Sequence, residues 1–206
     1  MLKIIAIVAM VIDHIGLVFF PDLIILRIIG RLSFPIFAWG IANGYSRTRD
    51  VKKYGQRLLF LAFISQPFFY LVIDKEVLNI CFSLFLGLIA ICLYENCLKN
   101  KYLSYFLLIL VFLIPFFVSI DYGLYGVVMI LFFHVFKNNI LLIPAQSVLT
   151  IVRVLFLPTS VLQIFAIPSF FIIYYFKHLD FKINRYLQYS FYPVHLFIIY
   201  LITLFL

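Results

Sequence analysis

Asp13 and His14 stand side by side in MLKIIAIVAMVIDHIGLVFF, residues 1–20, a run otherwise apolar and long enough to cross a bilayer. At about 1.5 Å per residue, His14 lies roughly 15 Å from the start of the run near Ile4, close to the middle of a hydrocarbon core about 30 Å thick. An ionised Asp at that depth costs about 2.5–3.5 kcal/mol, so the pair marks either a working site facing a watery interior or a polar tie between two helices. Imidazole titrates near neutral pH, which suits His14 to accept a proton from an attacking group or to carry a transferred group briefly itself.

Neighbours in a helix point about 100° apart, so Asp13 and His14 cannot pair with each other and each needs its own partner. Arg31, in RIIGRLSFPIFAWGIANGY, lies about 21 Å from that segment's inner end at Tyr45 and so within one turn of His14 in depth. Pro35 frees the carbonyl of Arg31 and predicts a kink, hence a cavity, beside a buried cation; a helix start at Pro35, with Arg31 only neutralising Asp13, is the plainer alternative. Further partners are Arg153, Gln66 in the SQP at 65–67, Asn79, Gln146 and Gln163, any of which can equally make an ordinary interhelical hydrogen bond. In YSFYPVHLFIIY, Tyr192 and His195 are three apart on one face, with Pro193 loosening the backbone beside them. Asp121 and Tyr122, in IDYGLYG at 120–126, read as an outer turn that lines an external mouth or serves as a turn alone. His134 and His178, near basic boundaries, read as interfacial.

The elements that must hold these residues follow from composition. With 66% hydrophobic and 12% charged residues in 206, there is too little polar surface for a soluble domain, and an all-α, polytopic membrane bundle is expected as one domain over 1–206. Hydrophobic runs mark nine spans at about 2–20, 27–45, 58–73, 78–95, 102–118, 123–136, 140–157, 161–176 and 189–206. The formal charge of +8 would suggest nucleic acid in a soluble chain, but the basic residues gather between apolar runs and no nucleic-acid partner is needed. SRTRDVKKYGQR at 46–57 carries Arg47, Arg49, Lys52, Lys53 and Arg57 against Asp50, which places it in the cytoplasm. Alternation then puts the N-terminus, 96–101, 137–139 and 177–188 on the same side and collects twelve of the sixteen basic residues there, leaving Arg27 and Lys75 toward the outside and the C-terminus out. The first run lacks a small-x-small cleavage site and reads as a retained helix. Cys81, Cys92 and Cys97 show no metal-type spacing and read as small hydrophobes, and no metal site is expected. The aromatic residues fit lipid-facing and interfacial positions.

Together LKIIAIVAMVIDHIG at 2–16, GRLSFPIF at 30–37, GYSRTRDVKKYGQRLL at 44–59, SQP at 65–67, DYGLYG at 121–126 and FYPVHL at 191–196 resemble the TraX family over nearly the whole chain. The family takes its name from a conjugal-transfer protein that acetylates the N-terminus of pilin. The first-helix His followed by a Phe-Pro helix is also similar to transmembrane acyltransferases acting on sugars, where a buried His, by motif position His14, is the supposed catalytic residue. The resemblance implies a multi-pass enzyme of the bacterial plasma or inner membrane that moves acetyl from cytoplasmic acetyl-CoA to a peptide amine or a glycan hydroxyl. His14 is then the expected base or acyl carrier, Arg31 the oxyanion stabiliser or holder of Asp13, and Asp13 the group that keeps a neighbouring cation in place. Arg47, Arg49, Lys52, Lys53 and Arg57 suit the phosphates of acetyl-CoA, and equally suit setting topology and touching anionic lipid in the bilayer. Tyr192, His195, Gln66, Asn79, Asp121 and Tyr122 are the candidates for the acceptor side. A proton-coupled transporter built on Asp13, His14, Arg31 and His195 is the second reading, and a non-enzymatic assembly scaffold the third; the lack of an internal repeat argues against a transporter.

Overall fold

The computed structural model describes residues 1–137, 139–179 and 185–205. The chain forms α1 (Leu2–Phe19), α2 (Ile24–Gly30), α3 (Ser33–Arg47), α4 (Val51–Val72), α5 (Ile80–Tyr94), α6 (Lys101–Phe117), α7 (Gly123–Val135), α8 (Leu142–Phe156), a 3-10 stretch (Pro158–Ala166), α9 (Ile167–Phe176), a 3-10 turn (Lys177–Leu179) and α10 (Arg185–Thr203). Leu2–Phe19, Ile24–Arg47 and Ser160–Leu179 are long and apolar enough to cross a membrane, and α5 to α8 are shorter apolar helices. Large apolar side chains cover the outside, and a few polar ones lie within an apolar core. Phe60, Phe116, Leu155 and Phe156 stand exposed while Ser65, Asn79, Ser104, Gln146, Thr150 and His195 are buried, the arrangement of a helical membrane protein.

Each expected apolar run is helical, with three departures. The second run is two helices, broken at Arg31 and Leu32, and Pro35 falls in the first turn of α3, where a missing N–H costs nothing. The segment 46–57, expected as a connection, is helical from Val51: Asp50 caps α4 by accepting the Lys53 N–H at 2.9 Å, so Lys52, Lys53 and Arg57 ride on a helix. That amide also holds the Asp50 carboxyl below its ordinary range. The eighth run opens as a 3-10 stretch and becomes α-helical only at Ile167. Cys92 and Cys97, expected as separate small hydrophobes, are joined in a disulfide across the turn after α5, and Cys81 is free and buried. The expected connection at 177–188 lies partly outside the described residues.

The site is positioned by close approach of short helices. Gly16 of α1 lets Leu26 of α2 come within 2.6 Å of where a Cβ would stand, and Gly30 leaves room for the Asp13 side chain. α7, at 13 residues, is only about 20 Å long, well short of a 30 Å core. Leu78 N–H donates to the Ser119 carbonyl and Asp121 N–H to the Leu78 carbonyl, each at 2.9 Å, which ties the start of α5 to the start of α7. Phe34 stacks on Tyr122 at 3.8 Å between centroids, bringing the start of α3 to the same place. Three helix N-termini, each the positive end of a dipole, thus converge around Phe34, Asn79 and Tyr122.

Candidate functional site

Asp13 is held by two arginines. Arg31 Nη2 donates to Oδ1 at 2.9 Å and to Oδ2 at 3.0 Å, and Arg27 Nη1 meets Oδ1 at 2.9 Å. Arg27 Nη1 also donates to the Asp13 carbonyl at 3.2 Å, and Arg31 Nε to the Arg27 carbonyl at 3.3 Å. All three side chains are 13–21% exposed, so the cluster is largely removed from solvent and carries one net positive charge if all are ionised. The pairing of Asp13 with Arg31 follows the sequence expectation. Arg27, read from the sequence as an outer topology residue, is instead part of the cluster: the turn after α1 folds α2 back along it, and residues four apart on α2 share one face.

His14 finds its own partner on α10. Its Nδ1 lies 2.8 Å from His195 Nε2, with ring centroids 5.0 Å apart and planes 9° apart, so the rings meet edge to edge. His195 Nδ1 lies 3.0 Å from the Phe191 carbonyl, which can only accept, so that nitrogen carries the proton. In the neutral ring the His195 Nε2 is then an acceptor and His14 Nδ1 the donor, which leaves the lone pair of His14 on Nε2. A backbone carbonyl thus sets both tautomers through two bonds, and the free nitrogen of His14 is the basic one. The Phe191 ring lies parallel to His195 at 5.2 Å.

A cavity of about 90 Å³ runs between α1, α3, α4, α5 and α10, lined by Lys3, Ile7 and Met10 of α1 and by Tyr54, Cys81 and Tyr192 among others. His14 continues the stripe of Lys3, Ile7 and Met10, one turn past the cavity wall. The Tyr192 hydroxyl is buried beside the Ile80 amide without completing a hydrogen bond, which leaves a polar handle on the wall. On the far side of Phe191 an apolar groove of about 720 Å³ between α1 and α10 includes His195 in its wall. His195 therefore borders the lateral groove, and His14 lies one turn along α1 from the residues that line the inner cavity.

The remaining expected residues divide by what they touch. Gln66 donates from Nε2 to the Val77 carbonyl at 3.0 Å and accepts at Oε1 from the Asn79 backbone and side-chain amides, each at 2.8 Å. Asn79 Oδ1 accepts the Cys81 N–H at 3.0 Å and Nδ2 donates to the Ala62 carbonyl at 2.8 Å. Their hydrogen-bonding capacity is spent on starting α5 and binding it to α4. The Asp121 carbonyl accepts the Ser83 hydroxyl, while its side chain feels the charges of Arg31, Asp13 and Arg153. Tyr122, the left-handed residue before α7, stacks on Phe34, and its carbonyl accepts from Arg153 Nη1 at 3.3 Å. Arg47, Arg49, Lys52, Lys53 and Arg57 are all exposed. Arg57 lies 5.8 Å over the ring of Tyr54, which lines the cavity. Among the described residues no group of three or more His, Cys, Asp or Glu is placed to hold a metal.

Compared with known proteins, residues 1–203 match the TraX protein family. The chain belongs to that family. It is 29% identical to the probable fimbrial assembly protein FimC, serogroup H1, of Dichelobacter nodosus, over 95% of this chain and 91% of that one. It is 34% identical to RP591, an uncharacterised protein of Rickettsia prowazekii, over 60% of this chain and 49% of that one. No solved structure matches.

Proposed function

We propose that this TraX-family chain is a multi-pass acetyltransferase of the bacterial plasma membrane, with its N-terminus in the cytoplasm. It takes acetyl from cytoplasmic acetyl-CoA and delivers it to an amine or hydroxyl of a membrane-presented acceptor, such as a peptide N-terminus or a glycan. The observation that carries this reading is the imidazole pair, with its tautomers set so that His14 holds its lone pair on Nε2, one helical turn beyond the Met10 wall of an internal cavity. The relative named for fimbrial assembly supports a pilus-associated acceptor.

The chemistry is acyl transfer with general base help. His14 Nε2 takes the proton from the acceptor N–H or O–H as that atom attacks the thioester carbonyl. The carbon–sulfur bond then breaks, and the imidazolium returns the proton to the departing CoA sulfur. Arg31 uses Nη2 on Asp13 and Nε on the Arg27 carbonyl, so Nη1 is the group left to face the developing oxyanion. Asp13 and Arg27 fix that guanidinium in place, and the starts of α3, α5 and α7 add positive potential. The exposed basic residues from Arg47 to Arg57 hold the CoA phosphates, with Arg57 beside the cavity-lining Tyr54. Thiol release from acetyl-CoA by purified wild type and His14→Ala, with a peptide amine supplied, tests the assignment. The alanine variant is expected to lose about two orders of magnitude or more in turnover. Equal turnover removes His14 from the mechanism.

A further inference from the structure

Gly40 of α3 and Tyr192 of α10 both line the inner cavity, and neither takes part in the proton transfers above. At Gly16, Gly30, Gly44 and Gly87 a neighbouring side chain fills the place of the missing Cβ, so packing explains those glycines. A Cβ on Gly40 meets nothing within 4 Å. A glycine inside a helix weakens it, and this one leaves open a space that a larger residue would fill without touching the protein. Tyr192 is 7% exposed, and its hydroxyl is buried in a largely apolar wall with no hydrogen-bond partner. Phenylalanine would pack there without a stranded donor, so the hydroxyl serves something other than the fold. The Tyr192 ring lies 5.3 Å from the His195 ring, centroid to centroid, which makes this wall the one that adjoins the imidazole pair.

The cavity follows α1 from Lys3 to Met10, roughly 10 Å at 1.5 Å per residue. A volume of about 90 Å³ drawn out over that length is a channel one extended chain wide, too narrow for a purine or a hexose. Tyr54 in its wall has Arg57 5.8 Å over its ring, and Tyr192 in its wall packs on His195. The channel therefore suits a neutral, mostly apolar chain with a carbonyl to take the Tyr192 proton. The pantetheine arm of CoA is such a chain. Its path of about twelve bonds from phosphate ester to sulfur covers about 14 Å, at the ~3.6 Å that three extended backbone bonds span. We propose that this cavity holds the pantetheine arm of the acyl donor, with the Tyr192 hydroxyl donating to one of its carbonyls and Gly40 keeping the channel open to the width of the arm. The proposal rests on the acetyl-CoA reading and goes beyond it by naming where the arm runs and which two residues admit it.

The test is isothermal titration of the full chain in lipid nanodiscs with two ligands: S-acetonyl-CoA, a ketone that carries the arm but cannot transfer acetyl, and 3′-phospho-ADP, which carries the nucleotide alone. Wild type is expected to bind S-acetonyl-CoA about tenfold or more tighter than 3′-phospho-ADP. Gly40→Leu puts a side chain into the open space and is expected to bring the two affinities within about twofold of each other by weakening only the first. Tyr192→Phe is expected to weaken S-acetonyl-CoA about fivefold and 3′-phospho-ADP not at all, with a thermal midpoint no lower than wild type. Wild-type affinity for S-acetonyl-CoA in either variant overturns the proposal, and so does a Tyr192→Phe chain that loses thermal stability but no affinity. Equal binding of the two ligands by wild type overturns the cavity assignment and leaves the nucleotide site standing. Binding of neither overturns the acetyl-CoA reading as well. If Gly40→Leu does not fold, Tyr192→Phe decides alone.

Discussion

His195→Leu is expected to slow acetyl transfer without weakening acetyl-CoA binding. In the native arrangement the Phe191 carbonyl fixes the His195 proton on Nδ1, and His195 Nε2 then takes the bond from His14 Nδ1 at 2.8 Å. Leucine has no acceptor, so a largely buried His14 donor is left without a partner, at a cost of about 1–3 kcal/mol. His14 escapes that cost by moving its proton to Nε2, which is the nitrogen the reaction needs empty. Either route raises the barrier, and 1–3 kcal/mol corresponds to a kcat lower by about 5- to 150-fold. The KM for acetyl-CoA is expected to stay within about twofold, because the lost contact is not one the donor makes. His195→Gln places an amide oxygen near the position of Nε2 and is expected to recover most of the rate, although it cannot relay a proton. Steady-state thiol release in lipid nanodiscs reads both constants, and 15N NMR of histidine-labelled protein reads the His14 tautomer independently of turnover. A leucine variant with wild-type kcat, or a His14 ring protonated at Nε2 in the wild type, refutes the reasoning.

Three further outcomes follow from the same geometry. Gly30→Ala puts a methyl group into the Asp13 carboxylate and is expected to destabilise the chain by about 1–3 kcal/mol, read as a lower thermal midpoint in detergent; an unchanged midpoint would mean that α1 and α2 separate at no cost. Asp13→Asn leaves two guanidinium groups, 15% and 21% exposed, without their counter-ion, and is expected to cost about 2–3 kcal/mol, toward the low end for a buried pair because the groups keep some solvent. Denaturant or thermal unfolding measures it. Neutralising Arg47, Arg49 and Lys53 together is expected to raise the KM for acetyl-CoA by about tenfold at low salt, with a smaller difference at high salt; a KM equal to wild type at both salt concentrations leaves these residues a topological role only.

The pairing of Asp13 with Arg31 is legible in the sequence because both residues are expensive in an apolar run and each must find the other or something like it. Arg27 was not, since hydropathy counts it as a flank of the second run, and only the return of α2 along α1 shows that it faces inward. The break after Gly30 is hidden for the same reason: IILRIIG is apolar enough to read as the start of one long helix, and the turn is set by packing rather than by a residue type. Periodicity placed His195 on the face of Tyr192 but could not name His14 as its partner, because the two are separated by 181 positions and no local rule joins them. The start of α4 has a sequence signal in Asp50 three residues before Lys53, masked by the density of charge around it.

The adjacency of Asp13 and His14, an obstacle to any direct pairing, is what lets one turn of α1 serve two neighbours. Their side chains diverge by about 100°, so Asp13 points to α2 and His14 to α10 from nearly the same depth. Gly16 and Gly30 bring α2 close enough for Arg27 and the Arg31 that caps its end to reach one carboxylate, while toward α10 a full imidazole spans the gap. The carboxylate thereby fixes the position of a cation, and the ring beside it keeps a lone pair. Carboxylate and imidazole thus hold separate partners from adjacent positions, which two residues in direct contact with each other could not do.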